Sequence, residues 1–221
     1  MTTLTTSPLA PLLDRLFAEA DETSATTMAA VSDIPAEELT RLRASKTDYL
    51  DFYGRLRDAP LAVSRETAAL LYMLARGAKA RSIVEFGTSF GISTLHLAAA
   101  LRDNGGGRLL TTEFEASKVA RARENLTAGG LIDLVELREG DALETLKADL
   151  PETIDLLLLD GAKALYPDVL ALLEDRLRPG AFVVADDADV SPDYLARVRS
   201  TGRGYLSTPF CEDVEFSMRI S

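Results

Sequence analysis

From residue 81 onward the chain alternates short apolar runs with segments of helical periodicity, and this alternation constrains the fold most. Residues 82–86, 108–112, 134–137, 154–159 and 181–185 read as strands. Helices are expected between them, over 92–101, 117–128, from about 141, and over 166–177. A strand that returns through a helix to its own sheet must lie parallel to the strand it left. Repeated units therefore build a doubly wound, mostly parallel α/β sheet. The run 154–159 is almost wholly apolar, which suits a central strand covered on both faces. After a short helix around Tyr194, residues 205–208 and 214–220 read as two more strands. Pro209, Phe210, Cys211, Glu212 and Asp213 would turn between them, giving seven strands with an antiparallel C-terminal edge hairpin.

Helices are expected before the sheet as well. Residues 8–20 place Leu9, Leu12, Leu13, Leu16 and Phe17 on one face, while the Thr-rich first six residues should fray. A second helix should begin after Asp33, with Pro35 early and Glu37 and Glu38 in its first turn, and run to Tyr53. A third, over 64–76, has Ser64 as its cap and Gly77 as its stop. A single domain over 1–221 is expected, with a helical cap at 1–60 and an α/β core at 61–221. The Thr201 to Glu212 region should shape a second-substrate pocket or a subunit contact, and the apolar faces of the first helices suggest a homodimer.

Composition excludes several classes of function. Apolar residues at 47% and charged residues at 27% give a folded globular chain. A net charge of −11 argues against a nucleic-acid or anionic-membrane partner. The single Cys211 cannot form an internal disulfide, and the first eleven residues lack a basic, then apolar leader pattern. No apolar stretch approaches the ~20 residues of a membrane span, so a cytoplasmic protein is expected.

The sharpest motif is Val84-Glu-Phe-Gly-Thr-Ser-Phe-Gly-Ile-Ser-Thr94, a strand entering a glycine turn and then a helix. Gly87 and Gly91 would let the backbone approach a ligand closely. Their spacing differs from the Gly-x-Gly-x-x-Gly that seats a pyrophosphate, so a ligand without phosphates is favoured. The free N–H groups of the helix, with the Ser93 hydroxyl, suit a carboxylate. Glu113 ends the next strand, where an acid can accept from both ribose hydroxyls. Asp141 follows the third, where it could cap a helix and accept from an adenine amino group. Alternatively, the glycines are plain turns and Asp141 only a cap.

These three stretches together resemble the class I S-adenosylmethionine-dependent methyltransferases, whose sheet is Rossmann-like. Residues 154–166 and 177–187, Ile-Asp-Leu-Leu-Leu-Leu-Asp-Gly-Ala-Lys-Ala-Leu-Tyr and Leu-Arg-Pro-Gly-Ala-Phe-Val-Val-Ala-Asp-Asp, resemble the small O-methyltransferases of the catechol and caffeoyl-CoA type. The likeness covers about residues 60–221. It implies a cofactor site of Val63, Glu85, Gly87, Thr88, Ser89, Gly91, Ser93, Glu113, Phe114, Gly140, Asp141, Ala142 and Asp160, and a small aromatic acceptor.

Asp160 and the pair Asp186-Asp187 end two strands. If those strands are neighbours, three carboxylates converge, and a hard divalent ion such as Mg²⁺ would relieve their repulsion. In the resembling family this ion holds both oxygens of a vicinal diol, and a lysine at the position of Lys163 acts as general base. Proximity to a metal should lower the pKa of that lysine. Two residues depart from the family pattern: Asp187 stands where Asn is usual, and Ala162 where a bulky residue is usual. Ala162 should leave room for an acceptor larger than catechol. Alternatively, Asp186 and Asp187 form a solvated loop and Lys163 lies on the surface. His96 and Cys211 read as non-catalytic, and Tyr166 as a core aromatic. Competing functions are metal-independent methyl transfer, nicotinamide-dependent oxidoreduction and ligand binding without catalysis.

Overall fold

Two parallel strands, β1 (Ser82–Phe86) and β4 (Ile154–Leu159), lie side by side at the centre of a seven-stranded sheet. The computed structural model describes residues 1–211 and 213–221, and all side chains among them except those of Ser24, Ala25, Thr26 and Met28. β2 (Arg108–Glu113) and β3 (Val135–Glu139) extend the sheet from β1, and β5 (Leu177–Ala185) extends it from β4. The closing strands β6 (Tyr205–Phe210) and β7 (Val214–Arg219) pair antiparallel, giving the order β3-β2-β1-β4-β5-β7-β6. Pro209 and Phe210 belong to β6 rather than to the expected turn, and Glu212 lies outside the described residues. The chain reverses direction across the sheet between β1 and β4, where α/β sheets open a crevice at their carboxyl ends.

Alternation along the strands divides the core in two. Ile83, Leu156 and Leu158 face helices α1 (Leu9–Ala29), α4 (Arg65–Gly77), α5 (Ile92–Asp103) and α6 (Ala116–Ala128). Val84, Leu157 and Leu159 face α7 (Ala142–Thr145), α8 (Tyr166–Leu173) and α9 (Pro192–Arg199). Leu156 to Leu159 are all fully buried, which is why that run carries no polar residue.

The N-terminal region departs most from expectation. Helix α1 runs nine residues past Ala20 to Ala29, since neither glycine nor proline interrupts residues 12–34 and the Thr23 and Thr27 hydroxyls bond back to the preceding turn. The expected second helix is two, α2 (Ala36–Arg43) and α3 (Tyr49–Gly54). Ser45 breaks it: its hydroxyl accepts from the N–H groups of Thr47 (3.3 Å) and Asp48 (3.0 Å) and so competes with helical bonding. The first residues are anchored instead of frayed. Thr3 donates to Asp103 through its N–H (3.1 Å) and its hydroxyl (2.6 Å), and Tyr72 donates to the same carboxylate (2.7 Å). At the other end, β5 begins earlier than expected because Leu177 already pairs with Ile154, and the register is irregular through Pro179 and Gly180.

Candidate active site

The turn after β1 is shaped by its neighbours as much as by any ligand. Gly87 has φ +100°, and a Cβ there would stand 2.6 Å from the Asp160 carbonyl at the end of β4. Only glycine lets the two strand ends close together at this point. Gly91 begins α5 at φ +88° with space around it, so its backbone angle, not crowding, requires glycine. Between them the Ser89 N–H donates to Glu113 Oε2 (2.9 Å), while the buried Ser89 hydroxyl has no partner among the described residues. Thr88 is tied by hydroxyl contact to Thr111 (2.6 Å). Ser93, Thr88 and Ser89 line a small recess at the N-terminus of α5.

Beneath this turn Glu85 is completely buried. Its Oε2 accepts from the hydroxyls of Thr94 and Thr111, each at 2.6 Å, and its Oε1 has no partner among the described residues. Burial pushes its carboxyl up to about 7, with the surrounding hydroxyls opposing the shift.

A cleft of about 630 Å³ opens along the carboxyl ends of the strands, lined by Gly87, Ser89, Glu113, Phe114, Gly140, Asp141, Ala142 and Asp160 among others. Both oxygens of Glu113 are oriented by backbone, Oε2 by Ser89 and Oε1 by the Glu115 N–H (3.0 Å). A carboxylate oxygen has more than one acceptor position, so Glu113 can still take ribose hydroxyls. Asp141 caps α7 by accepting from the Leu143 N–H (2.9 Å) and also accepts from the Tyr49 hydroxyl (2.8 Å). Asp141 thus caps the helix and lines the cleft at once. The orphaned Ser89 hydroxyl, the oriented Glu113 and the glycine cradle fit an adenosyl amino acid with its polar tail at α5.

A second, larger cleft of about 1510 Å³ lies between the N-terminal helices and the sheet. Its floor is Asp160, Lys163, Asp186 and Asp187; Leu39, Phe52, Leu56 and Val63 are among its apolar walls. Val63 therefore borders this cleft and not the first, and Ala162 borders the first and not this one. Neither cleft is lined by residues 201–211 or 213–221, so of the two roles expected for the Thr201 to Glu212 region, a second-substrate pocket or a subunit contact, the linings of these clefts support the first nowhere among its described residues. β7 and β6 extend the sheet beyond β5, and the Asp213 carbonyl accepts from the Ala188 N–H (2.7 Å) next to the acidic turn.

Lys163 is 96% buried and stands between carboxylates, with Nζ 2.9 Å from Asp160 and 3.5 Å from Asp187. Burial opposes its charge, but the facing Tyr166 and the Asp160 and Asp186 carboxylates outweigh burial and hold the ammonium well above the usual lysine range. The expected lowering is thus reversed in this arrangement. Burial likewise raises Asp160, and burial with the nearby Asp160 raises Asp186 to about 8. The Tyr166 hydroxyl donates to the Asp186 carbonyl (2.7 Å), so this core aromatic also steadies the acidic turn. Asp187 adopts φ +48° and faces Arg43 of α2 (3.5 Å) as well as Lys163.

Oxygen donors and crowded carboxyls fit a hard divalent ion in chemistry. In position they fit less fully: no cluster of three metal-ligating side chains forms among the described residues. The structure adds Arg43, Tyr49, Tyr53 and Lys118 to the clefts. All four are ordinary helix residues in sequence, and only packing carries them there. His96 bonds the Ile92 carbonyl (2.8 Å) and packs on Phe17, as a structural residue.

A family model described as a methyltransferase domain matches residues 84–188. The catechol O-methyltransferase of Niastella koreensis is 33% identical over 130 residues, which is 58% of either chain. Catechol O-methyltransferase B of Danio rerio is 32% identical over 176 residues, 76% of this chain and 66% of its own. The matches span less than two thirds of the length of these relatives. A solved O-methyltransferase from Streptomyces achromogenes in complex with SAM superposes with TM-score 0.63 and 25% identity, over 92% of this chain and 99% of that one. Fold, glycine turn, the acid that ends β2 and the relatives agree, and the chain belongs to the class I S-adenosylmethionine-dependent O-methyltransferase family of the catechol and caffeoyl-CoA type.

Proposed function

We propose that the protein transfers the methyl group of S-adenosylmethionine to a hydroxyl of a small dihydroxyaromatic acceptor. One observation carries this reading: the backbone-oriented Glu113 lies in a cleft that runs to Asp160, beside the buried Lys163 at the floor of a second, apolar-walled cleft. The cofactor supplies an electrophilic methyl on its sulfonium. Glu113 would accept from the ribose, Asp141 from the adenine amino group, and Ser89 and Ser93 would donate to the carboxylate tail. Mg²⁺ would be held by Asp160, Asp186 and Asp187 and would supply Lewis-acid chemistry to the acceptor oxygens. Asp187 would then have to turn from Arg43 and Lys163. Leu39, Phe52 and Leu56 would exclude water from the ring of the acceptor.

Lys163 Nζ would handle the hydroxyl proton. As an ammonium it stabilises the oxygen as its anion; as an amine it takes the proton. Lys163→Ala should lower kcat by roughly 10²–10⁴-fold if it is the base. Lys163→Arg separates the two roles, because arginine keeps the charge and cannot accept a proton.

A second reading, methyl transfer without metal, is favoured by the same Lys163, whose charge already compensates Asp160 and Asp187. Transfer from labelled S-adenosylmethionine to a phenol and catechol panel, with Mg²⁺ and then with chelator, decides between them. Full activity in chelator removes the metal from the proposal. No transfer to any hydroxyl of the panel, under either condition, overturns the acceptor class.

A further inference from the structure

Lys118 is 96% buried in the first turn of α6, yet it lines the 630 Å³ cleft. Among the described residues it has no hydrogen bond and no ion pair, whereas the other buried lysine, Lys163, has two carboxylate neighbours. The acids nearest in sequence are engaged elsewhere. Both Glu113 oxygens hold backbone N–H groups, and Glu115 holds the Ser117 N–H and hydroxyl. Burial of its side chain draws its pKa below the usual lysine value, with the Glu113 and Glu115 carboxylates opposing the shift. Of the two clefts and the small recess at α5, Lys118 lines this cleft and neither of the others.

We propose that Lys118 is a cofactor-binding residue, donating from Nζ to a ribose oxygen of the adenosyl group whose hydroxyl donates to Glu113. This rests on the reading of the cleft as an adenosyl site. A ribose hydroxyl has one proton to give and lone pairs to receive, so one oxygen can serve Glu113 and Lys118 together. The pair would recognise the ribose as donor and acceptor at once, which Glu113 alone cannot do. The first turn of α6 sets Lys118 on this flank: Ala116 and Ser117 before it are exposed, and Val119 and Ala122 after it fill the core.

The test is calorimetric titration of the full chain with S-adenosylhomocysteine, adenosine and 2′,3′-dideoxyadenosine. Wild-type protein that binds none of them overturns the adenosyl reading itself. If wild type binds, Lys118→Met should weaken S-adenosylhomocysteine and adenosine by about tenfold, the scale of a lost charge-assisted bond. Dideoxyadenosine should lose less than about twofold, having neither the 2′- nor the 3′-hydroxyl to offer. Lys118→Arg should recover part of the loss. The free Lys118→Met protein should also melt higher than wild type, because burial of the lysine side chain disfavours its charge. Equal losses for the two nucleosides, or none in either folded variant, overturn the role of Lys118.

Discussion

Glu85 and Glu113 stand on neighbouring strands as the same residue type, with opposite surroundings. Glu85 is sealed beneath the glycine turn, and burial raises its carboxyl to about 7 from 4.5. The folded state therefore binds more protons than the unfolded state between those values. Its stabilising contribution is complete below pH 4.5 and is lost as pH rises through 7. Glu85→Gln cannot titrate, so its stability relative to wild type should rise by roughly 3 kcal/mol between pH 4.5 and 8. Paired melting curves at those two pH values measure this, and parallel behaviour of both proteins would discard the assignment. Glu113 by contrast faces the cleft with both oxygens aimed by backbone. Glu113→Ala should weaken S-adenosylhomocysteine by one to two orders of magnitude, at about 1.5–3 kcal/mol per lost charge-assisted bond. Unchanged affinity by calorimetry in a folded variant would remove Glu113 from the site.

At the scale of elements, the segment from α2 to α3 is the least expected part of the chain and the part that shapes both clefts. Three of its side chains reach acids of the core: Arg43 to Asp187 (3.5 Å), Lys46 to Asp168 (2.5 Å) and Tyr49 to Asp141 (2.8 Å). The two ion pairs are solvent-exposed and contribute little, whereas the Tyr49 bond is partly buried. Phe52, Leu56 and Ala59 form a small apolar cluster of their own, separate from the two large cores. Local opening of this segment should therefore precede global unfolding. Tyr49→Phe removes a bond of about 1 kcal/mol, so amides of α3 should exchange about fivefold faster. Amides of α5, sealed in the core, should not change. A uniform acceleration across the chain would mean that Tyr49 supports the whole fold.

For the whole molecule, Leu9, Leu12, Leu13 and Leu16 of α1 belong to the same core as α4 and α5, so the first helix packs as part of the body beneath the cap. We expect residues 1–221 to unfold as one domain, in a single calorimetric transition whose van't Hoff and calorimetric enthalpies agree. Two resolved transitions would place a domain boundary near residue 60. Much of this was legible without coordinates. Strand–helix alternation determines a parallel sheet because crossover handedness leaves few alternatives, and the closing apolar runs mark its antiparallel edge. Gly87, Glu113, Asp141 and Asp160 could be placed at strand ends because in such a sheet every strand end opens on one crevice. What the first 60 residues do was not legible. Side-chain capping at Ser45 splits a helix that periodicity would continue, and Thr3 finds Asp103 across a hundred residues. The positions of Arg43, Tyr49 and Lys118 in the clefts likewise come from packing between elements distant in sequence. So does the charge on Lys163: sequence places a lysine three residues beyond an acid, but only tertiary structure sets it between Asp160 and Asp187 and out of water. Periodicity and turn chemistry are local and readable along the chain, whereas burial and charge compensation depend on which distant groups the fold brings into contact.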